Sequence, residues 1–383
     1  MKKQHTLAAT ASAITACFTS GAYATNGDQM IGVTATQWGM AGAVVAAPQD
    51  AGTIMSNPAG LAELGMKEVR FDMGFGLLNP PRKANGTESD SDYYLIPSGA
   101  VAFNVDDRLY LGMGMAGLSG MGVDFADIMA AAPGSQAVVT TKQFYKIAPG
   151  FGYKISDKLS VGAALNLDYQ SLAIHNNSFT LPQNQVYGLG ATAGLIYKFD
   201  ERWQLGASWV SKQHMDEFRW NTTAGEYTMT MDAPQQFAVG LAFKPRPGWL
   251  IEADVKYIGF SDVLDRVAFQ TPAGPTTMNF GWDDQIVYAI GVQKEINPKT
   301  TVRMGFNYGK SPIGPEDVNS NIGSLAVTEK HLSIGMTRKL SDKVSASLSY
   351  MHAFHNSVTS NVAPYNTIEL EQNIANVQIS YLF

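Results

Sequence analysis

The chain has one cysteine in 383 residues, Cys17. It precedes Ala22-Tyr23-Ala24, an A-x-A cleavage site that follows a basic start (Lys2, Lys3) and a short apolar stretch at residues 7–16. Residues 1–24 therefore read as a secretory signal peptide, with Thr25 as the first mature residue. A lipoprotein-like box, Ile14-Thr15-Ala16-Cys17, competes for the same segment, but the A-x-A site is better formed. A mature chain without cysteine has no disulfide, thiolate metal site or cysteine nucleophile. Charge is also scarce, at 16% of residues. Cleavage lowers Lys+Arg from 27 to 25 against 33 acidic residues, a net charge of −8, which is a poor match for nucleic acid. Long hydrophobic runs are missing too, and nothing approaches the roughly 20 residues of a membrane helix. No metal or cofactor is expected.

What is plentiful is glycine, with 37 residues, and aromatics at 10%. From Val69 onward the chain alternates. Val69, Phe71, Met73, Phe75 and Leu77 interleave with Arg70, Asp72, Gly74 and Gly76. Leu159, Val161, Leu165 and Leu167 interleave with Ser160, Gly162, Asn166 and Asp168. Successive side chains of a strand point to opposite faces, so each segment has a greasy face and a small or polar one. A soluble sandwich alternates as well. The strands here, however, are about ten residues long, as a tilted membrane strand requires. Aromatics recur near strand ends (Tyr153, Tyr169, Tyr197, Trp203, Trp249, Tyr257, Tyr308), as a membrane girdle demands. Six short turns, at 105–108, 155–158, 199–202, 244–248, 296–299 and 340–343, alternate with seven long loops, at 78–93, 118–142, 171–185, 215–226, 259–282, 310–327 and 353–369. This pattern predicts an all-β transmembrane antiparallel barrel of about fourteen strands over residues 67–383, with both ends periplasmic. The final strand places Val377, Ile379, Tyr381 and Phe383 on one face. A terminal Phe of this kind resembles the signal read by the outer-membrane barrel assembly machinery. Membrane lipid and lipopolysaccharide would surround such a barrel, and a monomer is expected.

Residues 25–66 do not alternate. They are rich in Gly and Ala, and Asn57-Pro58 punctuates a turn or helix start, since Pro suits a first helical turn. About forty residues are few for an independent domain, which favours a plug folded into the lumen over a periplasmic tail. Gly39-Met40-Ala41-Gly42-Ala43, Pro48-Gln49-Asp50-Ala51 and Ser56-Asn57-Pro58-Ala59-Gly60-Leu61 resemble the N-terminal hatch of the FadL family of outer-membrane transporters, which includes TodX-like aromatic-hydrocarbon members. The resemblance implies a fourteen-strand barrel with a hatch. It also implies uptake of long-chain fatty acids or hydrocarbons by lumen binding, hatch movement and lateral release through a kinked third strand. The hatch and ligand-pocket candidates are then Trp38, Met40, Asn57, Pro58 and Ala59.

The third strand is expected from Leu109 toward Gly117. Its Gly112, Gly114 and Gly117 are candidates for the lateral exit, because glycine in a strand marks bulges or close backbone approach. The bland alternative is that small residues fill a crowded interior. The loop at 118–142 is apolar for an extracellular loop, and Leu118, Met121, Phe125, Ile128 and Met129 could form a greasy mouth. Arg70, Lys146, Lys256 and Arg303 lie in the polar phase of their strands and are candidate partners of a ligand carboxylate. Asp72, Asp168, Glu252 and Asp254 share that phase, so salt bridging across the lumen is the default expectation. Aromatic or alkane hydrocarbon uptake is the alternative substrate reading, and a general diffusion porin is the second. An enzyme is not expected, and no catalytic residues are assigned. Only His331 and His352 of the five mature histidines fall in expected strands. Asp283-Asp284 is a poor dyad, because adjacent strand residues face opposite ways.

Overall fold

The computed structural model describes residues 25–126 and 138–383. The signal peptide reading of residues 1–24, including Cys17, and the loop positions Ile128 and Met129 lie outside the described residues. The barrel strands are β1 (Val69–Asn79), β2 (Tyr94–Asn104), β3 (Leu109–Asp124), β4 (Val138–Lys154), β5 (Leu159–Asn176), β6 (Thr180–Lys198) and β7 (Trp203–Val210). They continue as β8 (Gln236–Phe243), β9 (Trp249–Ile258), β10 (Gln285–Asn297), β11 (Thr300–Gly309), β12 (Lys330–Lys339), β13 (Val344–Thr359) and β14 (Thr367–Leu382). Each pairs antiparallel with the next, and β14 closes on β1 from Asn373↔Asn79 to Leu382↔Arg70. The result is a closed fourteen-strand barrel. Closure matters in a bilayer because an open edge would leave backbone groups unpaired in hydrocarbon.

The alternation sorts the two faces as expected. In β5, Ser160, Asn166, Asp168 and Gln170 are buried in the lumen, while Leu165 and Leu167 face outward. Near the periplasmic end Trp203 stacks on Phe243 at 4.1 Å, and Tyr381 packs on the terminal Phe383 at 4.5 Å. Four of the six short turns share one device. Asp106 and Asp200 each accept from the backbone N–H groups two and three residues on, at 2.7–2.8 Å, and Ser156 and Ser341 do the same at longer distance. These bonds hold the Asp106 carboxyl below the usual carboxylate range.

Several strands exceed the expected ten residues. β4, β5 and β6 have 17, 18 and 19 residues, because their pairing continues beyond the membrane. Leu118 and Met121, expected in a loop, therefore lie in β3, and Phe125 follows its end, fully buried. The 171–185 and 353–369 loops shrink for the same reason. All five histidines among the described residues lie in strands, since His175 and His355 fall in these extensions and His214 in the short strand His214–Met215. On the extracellular side two hairpins, Phe218–Thr222 with Gly225–Met229 and Arg266–Thr271 with Gly274–Asn279, form a separate four-stranded sheet. It covers a large apolar cluster that includes Phe125, Phe218, Trp220, Phe260, Phe269 and Trp282.

Residues 25–66 fill the lumen and are buried almost throughout, apart from exposed Gly65. They form a short antiparallel pair (Thr25–Asn26 with Gln29–Met30), helices Ala35–Gly39 and Thr53–Ser56, and a 3-10 helix Pro58–Glu63. This plug fits because the inward positions of the facing strands are small. A Cβ on Gly112 would stand 2.8 Å from Leu61 Cδ1, and one on Gly114 would stand 2.7 Å from Ile54 Cγ2. Both glycines lie in regular ladder, opposite Ala102 and Ala100 of β2. In this structure both make room for the hatch.

Candidate ligand path through the lumen

The hatch is fastened by carboxylates of the barrel wall. Asp254 Oδ2 accepts from the N–H groups of Val44 and Val45 at 2.8 and 3.0 Å. Glu252 Oε1 accepts from those of Ala46 and Ala47 at 2.5 and 3.1 Å. Asp72 Oδ2 accepts from Ala51 N at 2.8 Å and is paired with Arg70 at 2.8 Å. Residues 44–47 run close enough to the wall for four consecutive backbone amides to reach the two acids of β9. Asp50, within the hatch, accepts from Thr34 Oγ1 at 2.7 Å and Gly52 N at 3.1 Å. Burial, and then the neighbouring Asp72, push its carboxyl above the usual range. The expected salt bridging across the lumen is therefore mostly replaced by carboxylate bonds to the hatch backbone.

The hatch motif residues are structural. Trp38 packs with Met30, Ile31, Tyr94 and Met351. Met40 packs with Val44, Ala46, Ala242 and Leu250. Asn57 Nδ2 donates to Val45 O at 2.7 Å and Leu195 O at 3.1 Å, and its Oδ1 caps Ala59 N at 3.2 Å. Pro58 and Ala59 open the 3-10 helix. Asn-Pro-Ala is thus a cap that ties the hatch to itself and to β6.

Above this floor lies a small cavity of about 80 Å³. Hatch residues Ile31, Val33, Val44, Val45 and Met55 give it an apolar side, and Leu118, Phe144 and Val210 add wall residues. Gln37, Gln213 and Gln236 supply amides, and two lysines, Lys146 of β4 and Lys256 of β9, reach it. Lys146 is buried and Lys256 half-buried on the lumen face. Among the described residues neither has a direct hydrogen bond or ion pair. Lys146 stands opposite Asp168 in the ladder without meeting it at salt-bridge distance. The other two candidate bases are committed elsewhere. Arg70 holds Asp72, and Arg303 donates to Gln49 Oε1 at 2.8 Å and Thr337 Oγ1 at 2.7 Å. The structure thus separates four bases that share one sequence phase.

A second, larger, outer cavity of about 310 Å³ opens among the extracellular extensions. Met121, Leu172, Ile174, Met231, Met278 and Phe280 line it, with Lys142 and Thr140 as polar members. Methionines give such a surface the flexibility to fit varied apolar shapes. Between the two cavities Lys142 Nζ meets Asp28 Oδ2 of the hatch at 2.7 Å, both groups buried.

The wall beside the inner cavity is interrupted. β2 and β3 pair from Asn104↔Tyr110 only to Ser98↔Ala116. Beyond that point β2 remains on β1 and β3 remains on β4, with a bulge at Leu118 where the register shifts between Gly117 and Ser119. From Ala116 onward the residues of β3 are buried or half-buried on both faces, so this part of the strand leaves the lipid surface. Pro97 sits where the pairing stops, and it has no N–H to give. Arg82 closes the top of the gap by donating to Gly122 O, Ser91 O and Tyr94 Oη. Backbone Asp90 N also donates to Asp124 O, at 3.0 Å. Below that clasp, the hatch occupies the free edge of β3: Gln29 pairs with Ser119, and Gly120 N donates to Asp28 O at 3.4 Å. Of the three exit candidates, Gly117 alone lies at the break. Pro97 was the signal missed in the sequence.

A family described as outer membrane protein transport protein (OMPP1/FadL/TodX) matches residues 15–379. No curated protein matches the sequence. Among solved structures, the Pseudomonas putida toluene transporter TodX superposes with a TM-score of 0.76 at 19% identity, covering 92% of this chain and 99% of its own. A Pseudomonas aeruginosa FadL homologue gives 0.77 at 12% identity, with 94% and 100% covered. The Ralstonia pickettii toluene transporter TbuX gives 0.74 at 17% identity, with 92% and 99% covered. At these identities the likeness establishes the shared fold.

Proposed function

The chain belongs to the OMPP1/FadL/TodX family of outer membrane transport proteins, and from that premise we propose that it takes up hydrophobic small molecules, long-chain carboxylates foremost. A ligand would collect in the outer groove, settle in the inner cavity, and leave sideways through the break between β2 and β3 once the hatch hairpin moves. Lateral release is physically economical, because an apolar chain that passes from the lumen into lipid avoids the aqueous periplasm. The domain limits that fit this reading are a signal peptide at 1–24, a hatch at 25–66 and a barrel at 67–383.

The observation that carries the proposal is the inner cavity itself: a small, partly apolar pocket reached by two lysines without direct hydrogen-bonded partners, one buried and one half-buried, beside an interrupted wall. Asp168 and Asp254 lie near these lysines without hydrogen-bonding them, and an ammonium group away from water gains from a direct partner, so the pocket suits an anionic head group. The porin reading is disfavoured by a lumen filled with anchored hatch. The hydrocarbon reading retains support from the apolar, Met-lined outer groove and from two structural neighbours described as toluene transporters.

Substitution separates the two. Replacing both Lys146 and Lys256 by Met should weaken oleate binding by roughly 1.5–3 kcal/mol for each charged hydrogen bond lost. Each such loss is about ten- to hundredfold in affinity. Toluene uptake should be unchanged. Equal oleate affinity in the double variant, measured by titration of the purified protein, would exclude the lysines as head-group partners.

A further inference from the structure

Asp28 is the one acid of the N-terminal hairpin, and it is fully buried. Its Oδ2 accepts from Lys142 Nζ and from Ser119 Oγ, each at 2.7 Å, and its Oδ1 accepts from Gln29 Nε2 at 2.7 Å. The same hairpin covers the free edge of β3 through Gln29↔Ser119. Its next residues, Met30 and Ile31, pack against Tyr94 and Ile96 of β2 and line the inner cavity. The ion pair therefore ties to β3 and β4 the segment that separates three spaces, the outer groove, the inner cavity and the lateral break, while Gln372, Thr328 and Gln236 hold Thr25 and Gln29 from other strands and loops. Lys142 belongs to both sides of that partition, since it is also a wall residue of the outer groove.

We propose that Lys142–Asp28 is an exchangeable latch, opened by a ligand's carboxylate. An anionic head group arriving in the outer groove would pair with Lys142 in place of Asp28. The hairpin, Thr25–Met30, then loses its main tie to β3 and β4, and the edge of β3 and the inner cavity are uncovered together. Exchange is the feasible way to open such a pair. Pulling it apart leaves an uncompensated buried charge, whereas swapping one carboxylate for another keeps the lysine paired throughout. A neutral hydrocarbon cannot make that swap. Lys146 lies four residues farther along β4, roughly 13 Å at the usual strand rise, and offers the head group its next cation inside. The latch rests on the carboxylate and lateral-release reading given above, and adds to it a trigger and a selectivity step at the outer mouth.

The test is amide hydrogen exchange on the full mature chain in detergent, with oleate and oleyl alcohol as matched probes. Oleate should speed exchange across residues 25–31 and at Ser119 and Gly120 by about tenfold or more, the factor that 1.4 kcal/mol represents. Oleyl alcohol should leave those amides unchanged. Asp28→Asn, which keeps an amide able to bond Ser119, should exchange fast without ligand and respond to neither probe. Lys142→Gln should behave in the same way, which guards against a defect peculiar to one variant. Equal responses to oleate and the alcohol in the wild type, or a ligand-free Asp28→Asn hairpin as protected as the wild type, would overturn the latch while leaving transport itself intact. A wild type that takes up toluene but neither binds nor transports oleate would instead overturn the substrate reading, and the latch with it.

Discussion

At the scale of single residues, the lumen shows how a barrel spends few charges. Asp254 and Glu252 are two residues apart on β9 and so share its inward face, and together they collect four consecutive hatch amides. Each hydrogen bond of this type contributes about 0.5–1.5 kcal/mol. Asp254→Asn should therefore leave the barrel folded but deprotect the amides of Val44 and Val45, a change read by hydrogen exchange. Unchanged protection there would show that packing, not the carboxylates, holds the hatch. The inward glycines follow the same logic of space. Gly114→Val should push against Ile54 and Met55, costing about 1–3 kcal/mol as overpacking does. The loss should appear as a lower unfolding temperature of the hatch rather than as a blocked exit. Neither effect was visible in sequence, where Gly112, Gly114 and Gly117 looked alike. Glycine states only that something comes close, and the identity of the neighbour is a matter of contacts distant in the chain.

Among the elements, β3 is the exceptional strand. Its lower half is ordinary ladder, and its upper half has exchanged β2 for the hatch hairpin. If this break is the exit, a disulfide between Pro97→Cys and Gly117→Cys, the next positions beyond the last β2–β3 pair, should close it. Uptake should then fall under oxidising conditions and return on reduction, with heat-modifiable barrel mobility on gels unchanged. Full uptake in the oxidised variant would direct attention to a path past the hatch. The existence of β3 and the weakness of its pairing were legible from alternation and glycine content. The position of the break was not, because it depends on Pro97 in the neighbouring strand and on a bulge that only the paired register reveals. The extracellular ends were misjudged for a related reason. Alternation persists beyond the bilayer in β3–β6 and β13–β14, and nothing in a strand's own pattern marks where lipid ends and water begins.

For the whole molecule, the hatch is the seal. Barrels of sixteen to eighteen strands leave an aqueous channel, while eight-stranded ones fill with side chains. A fourteen-strand barrel is wide enough to conduct if emptied. Deletion of residues 25–66 should convert the protein into an open pore with steady ionic conductance in planar bilayers, where the intact chain shows little. A deletion variant that inserts but stays closed would mean that the loops, not the hatch, make the barrier. The sequence by itself determined the barrel, because a period of two with one greasy face has one stable home in a membrane and the turn chemistry counts the strands. It also determined that the Gly- and Ala-rich first segment belongs to that barrel. The tertiary structure alone decided which bases are free. Arg70, Lys146, Lys256 and Arg303 share one inward phase, but closing the barrel around the hatch gives Arg70 an aspartate, gives Arg303 a glutamine and a threonine, and leaves Lys146 and Lys256 facing a cavity. Phase along a strand is a local property, whereas pairing across a lumen depends on which distant residues the closed ring brings opposite one another.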